Sequence, residues 1–267
     1  MTAAQLRHRR FGLWAIIFVA ASVVVFLPGA MNRWVFPKEL VLSIGVVLAS
    51  LAAPAGRLPR WMLVAIGVSS LVLLVAALAG ATPLSQLLGR WPRYEGLVTL
   101  PVYAAALWAG SRLLGPAAMP AARRVFLRTI AVASSCLGVL AALESIGLRP
   151  IPSDLARPGS LLGNASDQGI VGLMFLALLV IPALKTTPHT FPRDALLLRI
   201  GLGSALVSVV LSASRSAIAV LVALVVVLGT SWVLSRRRGE LICEARGERV
   251  DIGGRAILYS RAELNLP

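Results

Sequence analysis

The sequence predicts an all-α fold, a polytopic integral membrane bundle of about eight transmembrane helices. Three observations predict it. Hydrophobic side chains make up 58% of the 267 residues and charged ones only 14%, against roughly 45–50% and about 25% in globular chains. Mean hydropathy is +0.84. The apolar residues fall in runs near the ~20 that a helix needs to cross hydrocarbon, and small basic clusters separate those runs. This composition excludes a disordered chain, which lacks apolar side chains to bury. It also excludes a disulfide-stapled scaffold, because Cys136 and Cys243 are the only cysteines and match no metal or redox spacing. A net charge of +15 would suit a nucleic-acid binder if the bases shared one solvated face. Interleaved with apolar runs they follow membrane topology instead, and no nucleic-acid partner is expected.

The runs lie at 11–30, 40–55, 61–82, 97–114, 125–148, 170–184, 196–212 and 216–235. The shortest of them must tilt, lean on neighbours or be re-entrant, because irregular backbone cannot face lipid. The connectors then set the orientation. With a cytoplasmic N-terminus, 15 Lys and Arg fall on the inner side before the tail and 7 on the outer, a two-to-one positive-inside bias. Arg7, Arg9 and Arg10 before the first run also resemble the basic region of a signal peptide. That run is longer than a usual signal core, so an uncleaved first span is expected. No repeat of 20–50 residues interrupts the series.

The outer bases oppose the rule that places the others, so their connectors carry the functional reading. The first holds Met31, Trp34 and Phe36-Pro37-Lys38-Glu39. Lys38 reads either as a ligand cation or as a lysine snorkelling beside its aromatic anchor. The second packs Arg90, Trp91, Arg93, Tyr94 and Glu95 together. Glu95 can orient a guanidinium, whose planar fork suits phosphate oxygens, while Tyr94 and Trp91 offer stacking faces. The alternative is an aromatic belt with a surface ion pair. The third gathers Arg157, Asn164 and Asp167 where the sixth span starts. Gly159 and Gly163 permit tight backbone there, and Ser166 or Asp167 would serve as N-cap. The fourth is Leu211 to Ala217, in which Arg215 sits between apolar runs with almost no loop. An arginine at such depth costs roughly 2.5–3.5 kcal/mol on insertion scales. Ser212, Ser214 and Ser216 would satisfy the opened backbone. Arg215 is therefore the leading ligand contact. Glu144, near the outer end of the fifth span, has Arg149 or Arg215 as possible partners, while Arg199 reads as a snorkelling residue.

These features describe an outward-facing cationic and aromatic site at the membrane boundary. A lipid-linked diphosphate fits it, with its tail between helices, its diphosphate on arginines and its sugar on aromatic rings. An anion-transport path is the competing explanation.

Taken in order, Phe36-Pro37-Lys38-Glu39, Gly89-Arg90-Trp91-Pro92-Arg93-Tyr94-Glu95-Gly96, Arg157-Pro158-Gly159-Ser160-Leu161-Leu162-Gly163-Asn164 and Ser212-Ala213-Ser214-Arg215-Ser216-Ala217 resemble the O-antigen ligase and polymerase-like family. The resemblance covers about residues 11–235. It implies a GT-C-like glycosyltransferase of the bacterial cytoplasmic membrane, a multi-pass protein of the cell envelope acting in polysaccharide biosynthesis. The donor would be an undecaprenyl-diphosphate-linked glycan and the acceptor a hydroxyl of a glycan or lipid, with membrane lipids around it and no metal or other cofactor. Arg215 and Arg157 would hold the diphosphate, with Lys38 and Arg93 lining the donor site. Electrostatic stabilisation of the departing diphosphate would supply much of the catalysis.

The sequence departs from the family at two places. Gly163-Asn164-Ala165-Ser166 stands where the family has Gly-Asn-Pro-Asn. The family's histidine, proposed as general base, lies in a large periplasmic loop, whereas His8 and His189 here fall on the inner side, so no catalytic residue is assigned. Residues 1–238 are accordingly expected to form an incomplete O-antigen ligase-like transmembrane domain. Residues 239–267 form a cytoplasmic tail of unknown structure, either a soluble extension or a product of truncation or an altered reading frame. The alternative functions are a non-enzymatic transporter or lipid-glycan-binding protein, or an inactive truncated family member. Reporter fusions after Arg157 and Arg215 are expected to read outside and one after Arg124 inside; the opposite pattern overturns the orientation.

Overall fold

The computed structural model describes residues 3–27, 34–89, 96–151, 156–159, 161–186, 192–237, 241–246 and 249–254. The chain divides into two units, Met1–Ala217 and Ile218–Pro267. Among the described residues of the first unit the regular elements are all helical, in the order α1 (Ala3–Ala21), α2 (Phe36–Leu51), α3 (Arg60–Ala79), the short α4 (Pro83–Leu88), α5 (Leu100–Leu114), α6 (Pro120–Ser145), α7 (Ala165–Lys185) and α8 (Pro192–Leu211). Helix α9 (Arg215–Arg237) begins in this unit and continues into the second. The second unit also holds an antiparallel hairpin, β1 (Leu241–Arg246) with β2 (Arg249–Gly254), in register from Leu241 opposite Gly254 to Arg246 opposite Arg249. It falls in the stretch the sequence left as a tail of unknown structure.

Among the described residues, five helical stretches are long and apolar enough to cross a membrane: α3, residues 97–114, α6, α7 and α8. The chain is thereby a multi-pass membrane protein. Local chemistry shapes the helices that form over the other runs of the sequence reading. Helix α1 takes the basic cluster Arg7, Arg9 and Arg10 into its own first turns and gives way at Ala21 to a 3-10 turn, Ser22–Val24. Helix α2 has 16 residues, starting at Phe36 because Pro37, with φ already helical and no N–H to lose, suits a first turn. Proline does the same at Pro101 and Pro120, so α6 begins before the run that starts at residue 125. Helix α9 runs for 23 residues, and its apolar stretch among the described side chains is Arg215–Val227.

Helix α8 is the centre of the tighter half of the first unit, packed by α6 on one side and α7 on the other. Small residues bring the backbones together. A Cβ on Gly138 would lie 2.6 Å from the Cβ and carbonyl oxygen of Ser204, and one on Gly201 2.8 Å from Ala131 Cα. The buried Ser134 hydroxyl donates to the Gly201 carbonyl at 2.7 Å at the same crossing. On the other side Gly172 faces Ser208 and Val209, and Gly169 faces Ser212, Ser214 and Ala217. Without a hydrophobic drive between helices in lipid, such close approach and interhelical hydrogen bonds hold the bundle. A second core joins α1, α2, α5 and the start of α6 through Ala15, Ile16, Ala49, Ala52, Ala109, Leu113 and Ala122. Helix α3 is different: only 6% of its apolar window is buried, which leaves it to lipid.

The first unit has two chemically distinct ends. At one, Arg112 of α5 closes the C-terminus of α2, its Nε donating to the Ala49 carbonyl at 2.9 Å and its Nη2 to Ala52 at 2.8 Å and Ser50 at 3.3 Å. His8 Nδ1 donates to Leu51 there. Arg128 Nε and Nη2 reach Asp194 Oδ1 at 2.7 and 2.6 Å, tying α6 to the first turn of α8, and Arg124 stands 3.7 Å from Oδ2. Asp194 also meets the positive end of the α8 dipole. The connectors that the positive-inside count assigned to one side thus meet in space. Asp194 itself carried no signal in that count.

The crossing at α6 and α8 yields a test. Gly138→Ala is expected to destabilise the purified protein by about 1–3 kcal/mol through overpacking. Gly67→Ala, on lipid-facing α3 with no atom within 4 Å of the added methyl, is expected to be neutral or stabilising. Thermal unfolding in detergent distinguishes them; equal loss would refute the tight crossing.

Candidate functional site

The opposite end is built around a break in the helical chain. Helix α8 stops at Leu211 and α9 starts at Arg215, and Ser212 and Ser214 satisfy opened backbone between them. The Ser212 hydroxyl donates to the Val209 carbonyl at 2.8 Å and accepts the Ser214 N–H at 3.3 Å. Ser214 is the N-cap of α9, its hydroxyl accepting the Ala217 N–H at 3.4 Å and lying 3.1 Å from the Ser216 hydroxyl. Ser212 and Ser214 are buried. Ala213 takes φ +48°, a left-handed conformation that costs an L-residue roughly 1–2 kcal/mol. Arg157 holds that residue, its Nη1 donating to the Ala213 carbonyl at 3.0 Å. Arg215, two residues on, is exposed as the first residue of α9.

Residues 156–159 and 161–164 lie beside this break and are held from several sides. Glu144, buried at the end of α6, accepts the Gly159 N–H at 2.8 Å. Lys38, in the first turn of α2, donates to the carbonyls of Leu161 and Val25, each at 3.1 Å. Gly163 has φ +74°, and a Cβ there would lie 2.8 Å from the Trp34 ring, so only glycine meets both demands. Asn164 caps α7, its Oδ1 accepting the Ser166 N–H at 3.0 Å.

Beside this seat lies a cavity of about 190 Å³ lined by Trp34, Lys38, Glu39, Tyr103, Leu162 and Asp167. It places one ammonium and two carboxylates among aromatic and apolar walls. Lysine carries three donors, and two of them go to backbone carbonyls. The lining can therefore exchange hydrogen bonds with hydroxyls and present aromatic faces to a ring. In the first turn of α7, buried Gln168 Nε2 has no hydrogen-bond partner among the described residues. Among the described residues no group of three or more His, Cys, Asp or Glu is placed to hold a metal ion.

The sequence-selected residues divide into two groups. Arg157, Asn164, Asp167, Lys38 and Arg215 all fall at this end, although Lys38 and Leu161 are 123 positions apart and Arg157 and Ala213 are 56 apart. Arg90, Arg93, Tyr94 and Glu95 lie outside the described residues. Several local roles differ from expectation. Asn164, not Ser166 or Asp167, is the N-cap; Lys38 does not snorkel to water but clasps two carbonyls; and Glu144 holds a backbone amide. Among the described residues the cavity is mixed in charge, with Lys38 beside Glu39 and Asp167. Tyr103 and Glu39 were missed as lining residues. An acid at the end of an apolar span, as at Glu144, signals a donor to be satisfied but not which one.

Fold and site together define a class: a multi-pass α-helical membrane protein with a built polar seat at one end of its bundle. Comparisons of the chain with protein-family models, curated proteins and solved structures return no match.

Glu144→Ala removes the acceptor of a buried amide, which costs about 1–3 kcal/mol. Hydrogen exchange at Gly159 is expected to quicken by roughly tenfold or more while α6 and α8 keep their protection; unchanged exchange would remove Glu144 from the seat.

Proposed function

We propose that the protein is an O-antigen ligase-like glycan transferase of the bacterial cytoplasmic membrane. In this reading it has about eight spans in a GT-C-like bundle, a cytoplasmic N-terminus and its seat at the outer face. It binds an undecaprenyl-diphosphate-linked oligosaccharide there for transfer to an acceptor hydroxyl on a glycan or lipid. The observation that carries the reading is that Arg157 is anchored at the helix break from which exposed Arg215 begins α9: it grips the carbonyl two residues before Arg215. Two guanidiniums beside the N-terminus of α9 suit a diphosphate, which accepts bidentate hydrogen bonds and favours the positive end of a helix dipole. Arg90 and Arg93 would add to the phosphate contacts, Tyr94 and Glu95 to sugar binding.

In the reaction the acceptor oxygen attacks the anomeric carbon, the bond from that carbon to the diphosphate oxygen breaks, and undecaprenyl diphosphate departs with the electron pair. The arginines stabilise the charge that develops on the leaving group. The hydroxyl proton must pass to a base, and Glu39 and Asp167 are the carboxylates lining the neighbouring cavity. The mixed charge of that cavity also favours a second reading, lipid-glycan binding without turnover.

Arg215→Ala is expected to weaken binding of undecaprenyl-diphosphate glycan to the purified protein by roughly tenfold to a hundredfold, from the loss of charged hydrogen bonds. Arg215→Lys should restore part of it. Unchanged binding overturns the reading; intact binding with no transfer to any acceptor selects the second one.

A further inference from the structure

The basic end of the first unit carries a cleft that a diphosphate site at the other end leaves unused. It measures about 390 Å³ and is lined by Arg57, Leu58, Arg60, Leu63, Trp108 and Arg112. The three arginines come from three places: the connector after α2, the first residue of α3 and the last turn of α5. Arg112 is fixed in position, with Nε and Nη2 on the carbonyls that end α2 and its guanidinium 5.4 Å from the centre of the Trp108 ring. Arg57 and Arg60 are exposed and make no ion pair among the described residues, and no carboxylate lines the cleft.

Three like charges around one concavity repel each other, and an anion between them relieves that repulsion. The first turn of α3 borders the cleft and adds the positive end of its dipole. The walls decide which anion. Leu58, Leu63 and Trp108 are apolar, and α3, which supplies Arg60 and Leu63, has 6% of its apolar window buried. The cleft therefore adjoins a helix face that acyl chains would solvate.

We propose that this cleft binds the phosphate group of an anionic membrane phospholipid, with the acyl chains lying along α3. Guanidiniums recognise the phosphate through paired hydrogen bonds, and the apolar walls favour a lipid over a free phosphate ion. The positive-inside arginines Arg57, Arg60 and Arg112 thus have a ligand as well as a topological role, and the assignment stands apart from the glycan-transfer reading.

The test uses the full chain, purified in detergent, stripped of lipid and titrated with phosphatidylglycerol, phosphatidylcholine or inorganic phosphate while bound lipid is counted by native mass spectrometry. Phosphatidylglycerol is expected to bind roughly tenfold tighter than phosphatidylcholine, and the pair Arg57→Gln with Arg60→Gln to erase that preference. The pair Arg193→Gln with Arg199→Gln removes the same charge outside the cleft and is expected to keep it. Arg112 is left intact because it closes α2. Equal binding of the two lipids overturns the proposal, as does an equal effect of the control pair. Displacement of phosphatidylglycerol by inorganic phosphate at matching concentration overturns the lipid assignment. Should the double variant fail to fold, the exposed single variants carry the test: each is expected to reduce the preference severalfold, and no reduction overturns it.

Discussion

The close approach of α8 to α6 and α7 is the constraint on which the polar seat depends. Gly138 and Gly201 let α6 and α8 touch backbone to backbone, and Gly169 and Gly172 do the same for α7 against the end of α8. Larger residues at those points would push α7 outward and carry its N-terminus away from the Ser212–Ser214 break. Asn164, Asp167 and the segment that Lys38 clasps would move with it. A few methyl-sized absences therefore fix the polar end of the bundle, because dispersion and interhelical hydrogen bonds act only at short range in an apolar surround.

The second governing demand is that backbone groups freed at helix ends find partners away from bulk water. At the basic end the carbonyls closing α2 are met by Arg112, and at the polar end those of Val25, Leu161 and Ala213 are met by Lys38 and Arg157. Charged side chains here serve as caps and clasps as well as charges. That is why the same cation can look like a ligand contact in sequence and prove to be partly a structural rivet. Lys38 illustrates it: the Phe-Pro-Lys-Glu motif marks the position, but two of its three donors are committed to the protein.

Some of the site was legible in advance because the chemistry of a few residue types leaves little choice. Arg215 between apolar runs with serines on both sides could only mark a break, and the break is there. Arg157 and Asp167 beside a predicted helix start were expected near one another because short connectors keep neighbours close. Other features were illegible for the opposite reason. That Glu144 would hold Gly159, that Tyr103 and Glu39 would line one cavity with Asp167, and that Asp194 would bind Arg128 depend on which helices face each other.

What the sequence determined by itself is the membrane character, the helical class, the grouping of most basic connectors at one end and the identity of the main polar breaks. These follow from local quantities, namely the apolar content of a run, the conformational limits of proline and glycine, and the expense of charge in hydrocarbon. The tertiary structure alone decided which helices pair, that five stretches among the described residues reach spanning length, that Glu39 and Asp167 line one cavity with Lys38, and that Arg57, Arg60 and Arg112 surround one cleft. Those outcomes rest on shape complementarity between segments far apart in the chain, and periodicity within one segment holds no record of its partner's surface.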